Sequence, residues 1–190
     1  MISVVIPTEG AEQPVVATLA ALVPGAAAGL IRDVVLVDRT ASEAIEHVAD
    51  VAGCNFLKFE GSRAAALAAG AQQSRSPWLL FLRPGAVLDS GWIDEITQFI
   101  QNVSLSGRQR AGVFRYARSP YENASVRDGV KSLARFISGP SPDQGLLIAR
   151  DHYEKIGGYA PTVRRAEAKL LSKLGRTGRA VLRTRIFVAA

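Results

Sequence analysis

Residues 78–92 read Trp-Leu-Leu-Phe-Leu-Arg-Pro-Gly-Ala-Val-Leu-Asp-Ser-Gly-Trp, and this stretch decides the fold class. Its first part, Trp78–Leu82, is an apolar run of the length of a buried strand. The triplet Arg83-Pro84-Gly85 predicts a turn, because proline and glycine favour turn backbone and interrupt a strand. Trp92 then begins an amphipathic segment, which predicts a helix over 91–103. The stretch is therefore predicted to be one strand–turn–helix unit.

The same alternation of apolar runs and amphipathic segments precedes this unit. The apolar runs predict strands at Ile2–Ile6, Val34–Val37 and Asn55–Phe59. The segments between them predict helices at Glu12–Leu22, Ser42–Val51 and Arg63–Ser74, the first of which is expected to stop at Pro24-Gly25. Strands that are apolar throughout and alternate with helices predict an α/β fold with a mostly parallel sheet and helices on both faces.

The second half of the chain has a less regular pattern. It predicts strands at Gly112–Tyr116, Gln144–Ala149 and Ala180–Val188, and helices at Arg127–Ile137, Asp151–Ile156 and Arg165–Gly175. The sequence contains no evident linker and no internal repeat. We therefore predict one domain over residues 1–190, built of two lobes.

The composition is that of an ordinary globular protein, with 48% hydrophobic and 21% charged residues among 190. No apolar run reaches the roughly 18 residues of a spanning helix, and the N-terminus lacks the basic region of a signal peptide. Cys54 is the single cysteine, so no intrachain disulfide can form and a reducing compartment fits. These features predict a cytoplasmic protein.

The net charge is +6, and the basic residues concentrate late in the chain. From Pro161 onward, eight lysines and arginines accompany one acid, Glu167. A basic surface attracts phosphate-bearing ligands, acidic lipid headgroups or nucleic acid. A solvated helix face would carry the same charges without binding anything. Both interpretations stay open on these residues alone.

The predicted sheet defines one candidate cleft. In parallel sheets, ligands bind beyond the carboxyl ends of the strands. Those ends are Pro7-Thr8, Asp38-Arg39, the segment 60–63 and Arg83.

Several familiar sites are absent from the sequence. It has no Gly-x-Gly-x-x-Gly after a strand and no Walker A motif, which argues against a dinucleotide or P-loop site. Its two histidines, His47 and His152, fall in predicted helices of different lobes. A catalytic Ser-His-Asp triad or a histidine-rich metal site therefore finds no support.

Five segments, taken in order, carry a family resemblance. They are Ile2–Thr8 (Ile-Ser-Val-Val-Ile-Pro-Thr), Val34–Asp38, Trp78–Leu82, Asp143–Ile148 and Tyr153–Tyr159. Together they resemble glycosyltransferase family 2, whose members have the GT-A fold. The spacing of the last segments is most similar to a small bacterial branch, the radical-SAM/selenodomain-associated transferases. The resemblance divides the chain into a nucleotide-binding half, 1–103, and an acceptor-side half, 104–190.

The resemblance implies transfer of a sugar from a nucleotide-sugar to an acceptor, and it implies roles for individual residues. Pro7, Thr8 and Asp38 match the nucleotide-binding strand ends. Asp143 and Gln144 match the acceptor-side strand, although turn capping would explain them equally well. Glu167 falls where the family has its catalytic base, one methylene longer than the usual aspartate. We therefore expect Glu167 to face a cleft bounded by Asp38 and Arg83.

The departures from the family pattern concern the metal. A divalent cation such as Mn²⁺ or Mg²⁺ is usual in the family, held by an Asp-x-Asp motif, but Arg83-Pro84-Gly85 stands at that position. The loop that is usually Asp-Gly-Ser-like reads Arg39-Thr40-Ala41-Ser42. We therefore predict no metal cofactor. Arg83, Arg63 and Arg39 are the cations that could stabilise a departing diphosphate instead, because guanidinium binds phosphate in a bidentate manner and stays charged.

Two hypotheses from different classes follow. The first is a metal-independent glycosyltransferase with Glu167 as general base. The alternative is a catalytically inactive GT-A-like protein that binds nucleotide, glycan or a partner protein. The predicted partners are a nucleotide-sugar and an acceptor of lipid-linked or polysaccharide type, with peripheral contact to the inner face of the membrane through the basic C-terminal part. No nucleic-acid partner is expected.

Overall fold

The computed structural model describes residues 1–117, 144–162 and 166–188. In chain order the strands and helices are β1 (Ile2–Thr8), α1 (Glu12–Ala27), β2 (Ile31–Asp38), α2 (Glu43–Ala52), β3 (Asn55–Lys58), α3 (Arg63–Gln73), β4 (Trp78–Phe81), β5 (Ala86–Leu88), α4 (Trp92–Ser106), β6 (Ala111–Tyr116), β7 (Leu146–Ala149), α5 (Arg150–Lys155), α6 (Ala166–Leu174) and β8 (Arg179–Val188). The loop and helix predicted between 119 and 137 lie outside the described residues.

The described strands form one eight-stranded mixed sheet in the order β3-β2-β1-β4-β7-β6-β8-β5. β3, β2, β1 and β4 run parallel to one another, with Val4 beside both Val34 and Leu80. β7 is antiparallel to β4 and β6, β8 is parallel to β6, and β5 is antiparallel to β8. The prediction that the four first-half strands share one mostly parallel sheet is confirmed.

Helices cover both faces of the sheet, which is why all seven residues of β1 are buried. Ile2, Val4 and Ile6 belong to a core cluster that also contains residues of α1, α2 and α4. Val5 points the other way, into a second cluster with residues of α3 and α6. Because successive side chains of a strand point to opposite faces, one apolar run supplies both cores.

Two glycines allow helices to approach closely. A Cβ built on Gly70 of α3 would lie 2.4 Å from Cγ1 of Val5, so α3 sits against β1 at a distance that a larger residue would prevent. A Cβ on Gly25 of α1 would lie 2.2 Å from the ring of Trp92. The expectation that α1 stops at Pro24-Gly25 was wrong. The helix continues to Ala27, because Gly25 is a contact for the Trp92 ring and not a terminator.

β5 is the described strand that the sequence pattern did not predict. It has only three residues and follows a Pro-Gly turn, so its pattern could not be separated from the turn. It pairs with β8 through Ala86–Val188, Val87–Phe187 and Leu88–Ile186. The fold therefore returns the end of the chain to the segment that follows β4.

Arg150, at the start of α5, ties the second half of the chain to the loop between α3 and β4. Its guanidinium donates to three backbone carbonyls, those of Ala71 (2.9 Å), Ser74 (2.7 Å) and Ser76 (3.0 Å). These carbonyls are at and just beyond the C-terminal end of α3, where helix carbonyls lack intrahelical partners. The guanidinium of Arg150, from the second half of the chain, thus supplies hydrogen-bond donors for carbonyl groups at the end of α3, a helix of the first half.

None of the helices within 1–117, 144–162 and 166–188 has the length and apolar character that a bilayer span requires.

Glu95 of α4 fixes the backbone of β8. The helix α4 packs on the face of the sheet that carries Ile2, Val4 and Ile6. The carboxylate of Glu95 accepts hydrogen bonds from the backbone N–H groups of Arg183 (2.5 Å) and Thr184 (2.7 Å). The same part of β8 lies where its register against β6 shifts, between Val113 and Arg115. Burial raises the pKa of Glu95, but the hydrogen bonds from Thr184 and Arg183 lower it more, and the net pKa is below the usual range.

We expect Glu95→Gln to lower the free energy of unfolding by about 1–3 kcal/mol at pH 7, because the amide nitrogen that replaces one carboxylate oxygen cannot accept the N–H bond made there. A depressed pKa stabilises the fold above the unfolded-state pKa and ceases to do so as pH falls through the folded-state pKa. The loss should therefore shrink below about pH 4. Urea unfolding at pH 7 and pH 3.5 would measure it. Asp94→Asn, an exposed change in the same helical turn, should cost at most about 0.5 kcal/mol, and an equal loss in both variants would contradict the anchoring role.

Candidate functional site

The carboxyl ends of β1, β2 and β4 meet at one edge of the sheet. Thr8 and Asp38 are paired at the ends of β1 and β2, and the backbone N–H of Leu82, just beyond β4, donates to the carbonyl of Val5 on β1. Pro7, Thr8 and Asp38 are all buried at this edge. The structure therefore brings together the strand ends that the sequence singled out.

Asp38 is fully buried, and hydrogen bonds engage both of its carboxylate oxygens. Oδ1 accepts from the Thr8 hydroxyl (2.7 Å) and from the N–H of Gly10 (3.1 Å). Oδ2 accepts from the N–H and hydroxyl of Thr40 (3.1 and 2.9 Å) and from the N–H of Ser42 (2.8 Å). One side chain thus fixes the loop after β1 and the loop after β2 relative to each other.

These hydrogen bonds also set the charge and the backbone of the site. Burial raises the pKa of Asp38, but the donors on Ser42, Thr8 and Thr40 lower it more, so the net pKa lies below the usual range. Ala41, between two of the donors, has φ of 52° and is the one non-glycine residue with positive φ in the described part of the chain. That backbone region is unfavourable for alanine, and the Asp38 bonds on either side hold it there.

Arg39 is held in place by two contacts. It forms an ion pair with Glu9, and its Nε donates to the carbonyl of Gly61 at 2.9 Å. These contacts link the loops that follow β1, β2 and β3. Arg39 therefore closes one side of the strand-end region.

The Arg83-Pro84-Gly85 segment forms the predicted turn and is fixed to α1. The N–H of Gly85 donates to the carbonyl of Pro14 (2.8 Å), and the carbonyl of Arg83 accepts from the N–H of Ala86 (3.2 Å). The side chain of Arg83 is partly buried. This turn lies directly after β4, at the position where the resembled family has its metal-binding Asp-x-Asp motif.

Glu167 lies in a cleft beside the end of β4, where it pairs with Arg63. The distance from Arg63 Nε to Glu167 Oε1 is 3.0 Å, and the two side chains are 29% and 23% exposed. The cleft is lined by residues from both halves of the chain: Arg63, Leu67, Phe81, Leu82, Gly145, Leu146, Tyr159, Glu167 and Leu171. Its cavity volume of about 20 Å³ is enough for about one water molecule.

Glu167 faces a cleft, as expected, but neither Asp38 nor Arg83 is among its lining residues. Leu82, next to Arg83 in the chain, does line it. Gln144 directly precedes Gly145, which lines the cleft. Asp143 lies outside the described residues. The binding and catalytic roles of these residues remain predictions.

Tyr159 also lines the cleft, although the sequence pattern did not predict it as a site residue. Its ring packs edge-on against Phe81, with centroids 4.9 Å apart, and its N–H donates to the Tyr153 hydroxyl (3.0 Å). Burial raises the pKa of Tyr159 well above its usual value, and the charge of Glu167 adds to the rise. A neutral phenol therefore faces the carboxylate of Glu167. The feature of the sequence that could have pointed to this residue is the turn Gly157-Gly158-Tyr159.

The residues at the end of β4 do not fit a divalent cation. Mn²⁺ and Mg²⁺ prefer oxygen ligands such as carboxylates, and the turn offers a guanidinium at Arg83 where the acids would stand. In the ranges that the structure describes, no three or more His, Cys, Asp and Glu side chains are grouped closely enough to hold a metal.

No protein-family model matches this sequence, and no curated protein matches it either. Solved structures do match. A mannosyltransferase, PcManGT, from Pyrobaculum calidifontis in complex with GDP-Man and Mn²⁺ has a TM-score of 0.68 at 14% identity, covering 99% of this chain and 56% of that chain. TarS 1–349 from S. aureus has a TM-score of 0.71 at 14% identity, covering 99% and 60%. Glucosyl-3-phosphoglycerate synthase from Mycobacterium tuberculosis, in complex with Mn²⁺, UDP and glucosyl-3-phosphoglycerate, has a TM-score of 0.66 at 15% identity, covering 100% and 71%.

The chain thus spans little more than half the length of the first two of these proteins. At such low identity the similarity establishes the fold. The protein has the α/β fold of the GT-A-type glycosyltransferases.

We expect Asp38→Asn to lower the free energy of unfolding by about 2–4 kcal/mol at pH 7, because the amide nitrogen cannot accept the donors on Thr40 and Ser42. The depressed pKa of Asp38 implies that its stabilisation is complete above the unfolded-state pKa of about 4 and is lost as pH falls further. Chemical denaturation between pH 3 and pH 7 would measure both effects. Asp50→Asn, an exposed change on α2, should alter stability by less than about 0.5 kcal/mol, and a pH-independent loss for Asp38→Asn would contradict the ionised carboxylate.

Proposed function

We propose that the protein is a glycosyltransferase, which moves a sugar from a nucleotide-sugar donor to an acceptor hydroxyl without a metal at the end of β4. The observation that carries this proposal is the position of Glu167. A carboxylate from the second half of the chain lies in the strand-end cleft, 3.0 Å from the guanidinium of Arg63. A base candidate and a phosphate-binding candidate are thus side by side in a GT-A-type fold.

The donor would bind across the ends of β1, β2 and β4. Thr8 and Asp38 would act by holding the loops that contact the nucleoside, since their own oxygens already bond each other at 2.7 Å. Buried Pro7 would fix the backbone beside them. Arg63 and Arg83 would contact the diphosphate, whose charge must be stabilised as the leaving group departs. The Arg63–Glu167 pair uses Nε, so the terminal nitrogens of Arg63 are the part proposed to meet phosphate.

The chemical step would be a single displacement. The acceptor oxygen forms a bond to the anomeric carbon, the bond from that carbon to the donor phosphate oxygen breaks, and the electron pair leaves with the nucleoside diphosphate. Glu167 would take the proton of the acceptor hydroxyl, which requires it to come within hydrogen-bond reach. The configuration at the anomeric carbon would invert. Gln144 is proposed to contact the acceptor, and the family resemblance suggests the same role for Asp143.

A second candidate function is nucleotide or glycan binding without turnover. The volume of about 20 Å³ does not separate the two hypotheses, because a sugar nucleotide would need rearrangement of the cleft in either case. The Arg63–Glu167 pair favours binding without turnover, because each group is already neutralised by the other. The enzyme hypothesis therefore requires the acceptor hydroxyl to reach the second carboxylate oxygen of Glu167, because Oε1 is bonded to Arg63 Nε.

Glu167→Gln is the direct test of catalysis. If the protein is an enzyme, we expect turnover to fall about a hundredfold or more, with donor affinity nearly unchanged, because the amide cannot accept the proton. The assay would monitor nucleoside diphosphate release from nucleotide-sugars that raise the melting temperature in a thermal-shift screen. Asp50→Asn, an exposed change on α2 away from the cleft, should leave turnover unchanged. Measurable wild-type turnover that survives Glu167→Gln would remove Glu167 as the base.

Metal independence has its own test. We expect calorimetry of UDP or GDP binding to give the same affinity within about twofold in Mn²⁺ and in chelator, because Arg83 in place of an acid repels a cation. Arg63→Gln should weaken the same binding about tenfold, by loss of one charged hydrogen-bonding group. A tenfold dependence on Mn²⁺ would show that the metal ligands have been misassigned.

A further inference from the structure

The two halves of the chain carry opposite net charge. Residues 1–103 contain six lysines and arginines and eleven acids, a net charge of −5, whereas residues 104–190 contain seventeen and six, a net charge of +11. A surface with an excess of positive charge attracts anionic ligands. The cleft residues account for little of it, because Arg63 and Arg83 belong to the acidic half.

Part of the positive charge lies on one exposed surface of the sheet. Along β8, Leu182, Thr184 and Ile186 are buried, while Val181, Arg183 and Arg185 between them are exposed. Arg115 of β6 is also exposed and is paired in register with Arg185, so both side chains stand on the same side of the sheet. We call Arg115, Val181, Arg183 and Arg185 the β8 face.

The acids near the β8 face neutralise it only in part. Asp89 forms an ion pair with Arg185 at 2.7 Å. Glu95 is occupied with backbone N–H groups of β8 and comes from α4, whose buried residues belong to the core on the opposite side of the sheet. The charge of Arg183 contributes to the lowered pKa of Glu95, but Arg115 and Arg183 form no ion pair within the described residues, and both residues are exposed.

The β8 face combines charge with exposed apolar surface. Val181 is 62% exposed, and the guanidinium of Arg185 lies over the ring of Phe187, 5.5 Å from its centroid. Arginines beside apolar side chains suit the boundary between lipid headgroups and acyl chains, where the aliphatic part is buried and the charge stays at the phosphates.

We propose that the β8 face docks on an anionic lipid bilayer. The recognised chemistry is the lipid phosphate, met by Arg115 and Arg183, with Val181 entering the headgroup layer. Anionic membrane surfaces attract nearby lysines and arginines by an amount that corresponds to about fivefold in affinity for each. This docking is independent of the function proposed for the cleft. It would hold the acceptor-side half against the membrane.

Vesicle co-sedimentation of the full chain tests whether membrane binding depends on charge. We expect binding to phosphatidylcholine vesicles containing phosphatidylglycerol, weak binding to phosphatidylcholine alone, and loss of binding as salt rises. The double change Arg115→Gln and Arg183→Gln should weaken binding about 25-fold, the product of two fivefold losses. Arg32→Gln with Arg75→Gln removes the same charge from two exposed arginines of the acidic half and should leave binding within about twofold.

A tryptophan reporter tests whether residue 181 enters the headgroup layer. Trp78 and Trp92 are buried, so a tryptophan placed at Val181 dominates the exposed emission. With anionic vesicles, Val181→Trp should shift its emission to the blue and resist acrylamide quenching, whereas Val51→Trp, on the 76% exposed Val51 of α2, should do neither. Circular dichroism would establish that each variant is folded.

The proposal would be overturned by no binding to anionic vesicles, by equal loss of binding in both arginine double variants, or by a Val181→Trp emission that vesicles leave unchanged. Binding to single-stranded RNA under conditions where vesicles are not bound would also overturn it, in favour of a nucleic-acid surface.

Discussion

A carboxylate without access to water must be surrounded by hydrogen-bond donors, and Asp38 imposes this requirement on the strand-end region. Its donors come from two loops that are separated along the chain by the whole of α1 and β2. Because the same carboxylate binds both loops, neither can move without exposing a charge that has lost its partners. Arg39 adds the loop after β3 to this group through Gly61. The rigid part of the proposed donor site is therefore built from one acid and its donors, and the helices behind it serve to keep water out.

The cleft that holds Glu167 has a different physical character. It is formed by an aromatic group around Phe81 and Tyr159 and by the ion pair between Arg63 and Glu167. A partly exposed ion pair contributes little to stability, so it can open at small cost. The strand-end edge of the sheet thus carries two different parts: the loops around Asp38, whose carboxylate oxygens are both bonded, and a cleft whose polar contact can be exchanged for a ligand.

The sequence predicted the first four strands because each is apolar on both faces, a pattern with few other structural explanations. It could not predict β5, because three residues carry too little pattern. It also could not predict that α1 continues through Gly25, because the reason is a contact with the ring of Trp92, which is distant in the sequence. For the site, the strand end at Asp38 was visible, but its five donors were not, since hydrogen bonds between loops leave no periodic signal. The Arg63–Glu167 contact joins residues 104 positions apart, and no local pattern in a single sequence encodes such a pair. Tyr159 was overlooked because an aromatic residue after two glycines is equally typical of a plain turn.

The close approach at Gly70 has a consequence for how variants of this protein should be interpreted. α3 begins with Arg63 at the cleft and passes Gly70 against Val5 in the core seven residues later. A helix is stiff over two turns, so the depth to which it sits on the sheet at Gly70 determines where its first residue stands. A displacement of about 1 Å at a reacting group can reduce the rate a hundredfold. A methyl group added deep in the core could therefore imitate the loss of a catalytic residue, in a protein that remains folded and whose ligand contacts are all chemically intact.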